Sequence, residues 1–70
     1  MPKLYSWKEV AKALSKLGFH VERQRGSHII FKSTDKTVPL PRDDELGPGL
    51  IGAIAAEIGM RKKEFEKLLD

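Results

Sequence analysis

Phe19-His20-Val21-Glu22-Arg23-Gln24-Arg25-Gly26-Ser27-His28-Ile29-Ile30-Phe31-Lys32 decides how this chain folds. From Phe19 to Arg25, Phe19, Val21 and Arg23 fall on one side of an extended chain and His20, Glu22 and Gln24 on the other. That alternation predicts a strand with one wet face. Gly26-Ser27 turns the chain, because glycine has no Cβ to oppose a tight reversal. His28 to Lys32 then reads as a second strand, with Ile29 and Phe31 pointing one way and His28, Ile30 and Lys32 the other. Ser33 to Lys36 is a further turn, and Thr37 to Leu40 a third short strand with Val38 and Leu40 inward. Pro39 and Pro41 cannot donate to a ladder, which puts this strand at an edge.

Helices flank the three strands. Ser6-Trp7-Lys8-Glu9 has the form of a capping box. After it, Trp7, Val10, Leu14 and Leu17 recur at three- and four-residue spacing and predict one buried stripe, with Trp7 a core or staple residue. Gly18 closes that helix in the left-handed conformation. Arg42 to Gly47 reads as a polar loop. Pro48 suits a first helical position, and Leu50, Ile51, Ile54 and Ile58 form the apolar face of a second helix that ends at Gly59. Met60 to Leu69 predicts a short terminal helix docked by Phe65, Leu68 and Leu69. The order α-β-β-β-α plus a small helix fits an α+β fold, a three-stranded antiparallel sheet with both main helices on one face. The face carrying His28, Ile30 and Lys32 is then left open.

Seventy residues make one domain spanning 1–70, near the lower size limit for unassisted folding. A self-interface, hence a homodimer, or another partner would add to its stability. With 40% hydrophobic and 33% charged residues the composition is that of a globular chain and not a disordered one. The absence of cysteine excludes disulfides and thiolate metal sites. Two histidines without a carboxylate at ligand spacing argue against a metal centre, so no cofactor is expected. No apolar run is long enough to span a membrane and no secretory signal is visible, which points to the cytoplasm.

The formal charge of +3 is unevenly spread. Arg23, Arg25, Lys32, Lys36 and Arg42 share one stretch with a single acid, Asp35, which favours an anionic partner. Histidine titrates near neutral pH and can move protons in either direction. His28, beside a Gly-Ser turn and among these cations, is therefore the candidate proton-transfer group. His20 shares the face of Glu22 and reads as an ordinary surface residue.

Leu17-Gly18-Phe19, Arg23-Gln24-Arg25-Gly26-Ser27-His28 and Phe31 together resemble the core pattern of the HicA toxins. Val38-Pro39, Pro41, Leu46, Pro48-Gly49, Ile54, Gly59 and Phe65 continue the resemblance in order and spacing. It implies a fold similar to double-stranded RNA-binding domains. It also implies the toxin of a type II toxin–antitoxin system, a ribosome-independent mRNA interferase silenced by a HicB-like antitoxin. In that family the histidine after Gly-Ser is catalytic, here His28. On this view Gly26 and Ser27 shape the substrate site, Arg23, Arg25 and Lys32 contact phosphates, and cleavage needs no metal. Two positions depart from the pattern: Asp43 stands where many members carry a histidine or another polar residue, and Met60-Arg61-Lys62-Lys63 replaces the usual Ser or Thr cap of the last helix. The competing classes are an RNA-binding module that cuts nothing and an interaction protein that docks a partner on the open sheet.

Overall fold

The computed structural model describes residues 3–69. Its elements run α1 (Trp7–Lys16), β1 (His20–Arg25), β2 (His28–Lys32), β3 (Thr37–Pro41), α2 (Pro48–Glu57) and α3 (Lys62–Leu69). The strands form one antiparallel sheet in the order β1-β2-β3. Ile29, Phe31, Val38 and Leu40 are buried on one face beneath Val10, Ala13 and Leu14 of α1, Ile51, Ile54 and Ala55 of α2, and Phe65 and Leu69 of α3. Among the described residues no helix covers the opposite face, and its residues are exposed or half-exposed. The α+β arrangement, a three-stranded antiparallel sheet with both main helices on one face, is the one the order of the elements predicts.

Local chemistry accounts for the helix starts. Ser6 Oγ accepts from the Glu9 backbone N–H at 3.3 Å, and Glu9 Oε1 accepts from the Ser6 N–H at 3.0 Å, a complete capping box. The last helix has no hydroxyl cap, but Glu64 Oε1 accepts from the Arg61 N–H at 3.3 Å. That acid offsets the positive charge of Arg61, Lys62 and Lys63 at the helix N-terminus. The helix begins at Lys62 and not at Met60 as its sequence suggests.

Several expectations need correction. The buried stripe of α1 is Val10, Ala13 and Leu14; Leu17 is 37% exposed and Trp7 only half-buried. Leu50 is also half-buried. The segment Arg42 to Gly47 is not a wholly polar loop, because Leu46 is buried and bridges to Tyr5. The Tyr5 N–H donates to the Leu46 carbonyl at 3.0 Å, and the Leu46 N–H to the Tyr5 carbonyl at 2.8 Å. This clasp joins the two chain segments that lead into α1 and α2.

The largest correction lies in β1. Val21 pairs with Phe31, but Arg23 pairs with Ile30, so Glu22 is an extra residue, a β-bulge. The bulge resets the alternation. Arg23 and Arg25, which strict alternation places on the side of Phe19 and Val21, instead share the open face with Ile30 and His28. Val21 keeps its place opposite Phe31 yet is 57% exposed, because the helices leave this outer strand uncovered.

Candidate active site

Gly26 holds φ at +60°, and Ser27 has an ordinary negative φ, as no non-glycine described residue is positive. A glycine in the left-handed region at the first position of a two-residue hairpin is the signature of a type II′ turn, whose twist matches the flanking strands. The turn sets Arg25 directly opposite His28. It is also tied down from the far side of the sheet, where the Arg42 N–H donates to the Ser27 carbonyl at 2.8 Å. Gln24 Nε2 donates to the Gly26 carbonyl at 3.4 Å.

His28 is exposed at the end of the open face. Ser27 Oγ lies 3.4 Å from its Nδ1. When Oγ accepts from Nδ1–H, the lone pair sits on Nε2, the nitrogen free to take a proton from a bound molecule. The register arranges the face in rows. His28 lies between Arg25 and Pro41, Ile30 between Arg23 and Pro39, and Lys32 between His20 and Thr37.

This arrangement separates the expected site residues. Gly26, Ser27, His28 and Arg25 form one group at the turn, with Arg23 a row away. Lys32 stands four residues along β2 from His28, roughly 13 Å at strand rise, and belongs to the opposite end. His20 shares that distant row, so the two histidines cannot flank a single phosphate. Glu22 reaches over the same face, its carboxylate 3.3 Å from Lys32 Nζ and 3.9 Å from Arg23 Nε. Two of the three expected phosphate contacts are thus already engaged by an acid. Arg25 has no ion-pair partner among the described residues and is the cation nearest the histidine.

Arg42, outside the expected site residues, adjoins the turn and links it to Trp7. The Arg42 guanidinium lies 5.1 Å from the centre of the Trp7 ring. The Trp7 backbone N–H donates to the Asp43 carbonyl at 2.9 Å. Asp43 Oδ1 also accepts from the Glu45 N–H at 3.0 Å, so this residue shapes the loop that follows β3. Arg42 was visible as part of the basic stretch; its meeting with Trp7, 35 positions earlier in number, leaves no local signal. No pocket forms among the described residues, and the candidate site is an open surface.

No helix of the structure is long and apolar enough to cross a membrane. No curated protein and no solved structure matches the chain. The family model for the HicA toxin of bacterial toxin–antitoxin pairs matches residues 7–60, from the start of α1 past the end of α2. That match takes in the hairpin, its turn and His28, and the chain belongs to the HicA family of bacterial toxins.

Proposed function

We propose that this toxin is a metal-independent endoribonuclease that cuts mRNA in the cytoplasm, using His28 as its single proton-transfer residue within one domain of residues 1–70. The supporting observation is the grouping at the turn: an exposed imidazole, a hydroxyl 3.4 Å from its Nδ1, and directly across the ladder Arg25, a cation without an ion-pair partner among the described residues. RNA carries its own nucleophile. His28 Nε2 takes the proton of a 2′-OH, the 2′-oxygen attacks the adjacent phosphorus, and the bond from phosphorus to the 5′-oxygen breaks. The imidazolium then returns a proton to the leaving oxygen, giving a 2′,3′-cyclic phosphate and a 5′-hydroxyl. Arg25, with Arg23 behind it, stabilises the added negative charge at phosphorus. Gly26 and Ser27 bring the backbone close to the phosphate, and Lys32 meets the strand further along. A HicB-like antitoxin silences the enzyme by covering His28 and the basic face, in a complex weakened by salt.

His28→Ala tests this reading. Cleavage of single-stranded RNA should fall by ~10²–10⁴-fold, the usual contribution of a general acid–base group, and toxicity should disappear. Circular dichroism should be unchanged, because the ring is exposed. Activity should persist in a chelator. Normal cutting by the variant would reduce His28 to a turn residue. Binding without cutting by both proteins would favour the RNA-binding module instead.

A further inference from the structure

Five aromatic residues occur in the chain, and four of them, Tyr5, Phe19, Phe31 and Phe65, are buried in the core. Trp7 alone is half-exposed. Its ring is flanked by cations, Arg42 at 5.1 Å and Lys8 at 5.9 Å from the centroid. Arg42 and Asp43 act as a two-residue strut between this ring and the candidate active site. The Arg42 N–H bonds the Ser27 carbonyl, and the Asp43 carbonyl accepts from the Trp7 N–H. The indole is therefore held at the same end of the sheet as the Gly26-Ser27 turn, on the helix side, where it packs against the core, while His28 lies on the open side of that rim.

We propose that Trp7 and Arg42 form a stacking subsite for one base of single-stranded RNA, reached where the strand passes over the Gly26-Ser27 end of the sheet from the phosphate that faces His28. The proposal rests on the ribonuclease reading above and adds how substrate is positioned on a surface where the described residues form no pocket. Without a cavity, affinity for a flexible strand comes from charge and from stacking on aromatic or guanidinium planes. Charge alone leaves the strand free to slide along the basic face. A stacked base fixes its register, so that one 2′-OH comes to His28 at a time. Arg42 serves both ends of the subsite, its side chain against the indole and its backbone against the turn.

The test uses the full chain and a single-stranded octanucleotide of mixed sequence, 2′-O-methylated throughout so that it cannot be cut. Trp7 is the only tryptophan, so intrinsic fluorescence reports on this ring alone. The emission should be quenched in step with the anisotropy of a labelled copy of the oligonucleotide. Arg42→Ala and Trp7→Leu should each weaken binding roughly 5- to 150-fold, the range for loss of one stacked base. Trp7→Phe should lose much less, and the exposed position of Arg42 keeps the test open if Trp7→Leu fails to fold. Cleavage of unmodified RNA is followed in parallel. Unmoved emission at saturation with unaltered Arg42→Ala affinity overturns the subsite while active cleavage leaves the nuclease standing. Quenching without cleavage upholds the subsite and removes the nuclease. Failure to bind or cut overturns both.

Discussion

Among the described residues of the open face, Glu22, at the bulge, is the one acid beside Arg23, Arg25 and Lys32, and replacing it by Gln makes a quantitative prediction. Its carboxylate is shared between Lys32 Nζ at 3.3 Å and Arg23 Nε at 3.9 Å, so one negative charge is set against two positive ones. Gln keeps the size of the side chain and removes the charge, restoring one net phosphate-facing cation. For single strands each neutralised phosphate changes the slope of log affinity against log salt by about 0.7. Scaled from 1 M salt down to physiological strength, Glu22→Gln should bind RNA about fourfold more tightly, with no gain at the high-salt end. Stability should change by less than about 1 kcal/mol, since all three side chains are substantially exposed. The assay is anisotropy of a labelled 2′-O-methyl oligonucleotide across a salt series, with a thermal melt of each protein. An unchanged slope would mean RNA does not lie across this face. A fall in affinity would mean that Glu22 orients Arg23 and Lys32 instead of competing for them.

Two other substitutions probe the frame around the site. Gly26→Ala should cost ~1–2 kcal/mol for forcing a Cβ into the left-handed region, although no atom lies within 4 Å of the new group. Cleavage by this variant should fall further than its melting temperature explains, because the turn aims His28; a purely proportional loss would argue that the turn is only a connector. Phe31→Ala removes a ring 1% exposed at the centre of the sheet. A loss of ~3–5 kcal/mol takes most of the stability of so small a domain, so circular dichroism should show a largely unfolded chain at growth temperature. A melting point lowered by only a few degrees would contradict that account.

What the sequence made legible is what short-range chemistry controls. The Ser6–Glu9 box, the glycines at positions 18, 26 and 59 and the inward pairs Ile29/Phe31 and Val38/Leu40 each declare themselves within a few residues. The candidate site was legible to the same extent, because Gly26, Ser27 and His28 are consecutive. The bulge was not. Two-residue alternation carries no mark of a register shift, and only the pairing with β2 shows that Glu22 is the extra residue. The sidedness of Arg23 and Arg25 therefore had to come from the structure. The clasp of Tyr5 with Leu46 and the contact of Arg42 with Trp7 were hidden for a related reason. Each joins segments far apart in the chain, in stretches without periodicity.

The edges of the sheet bear on the life of the toxin once it is free. A toxin acts only when apart from its antitoxin, and a small sheet left alone exposes two rows of backbone groups that can template other chains. Here β3 carries Pro39 and Pro41, which have no N–H to offer an added strand. The other outer strand, β1, is broken by its bulge, and it carries His20, Glu22, Arg23 and Arg25 with all six of its residues exposed. Neither border invites edge-to-edge aggregation. The bulge that turns two arginines toward His28 thus also helps keep the uncomplexed protein dispersed, so straightening β1 should endanger solubility as well as activity.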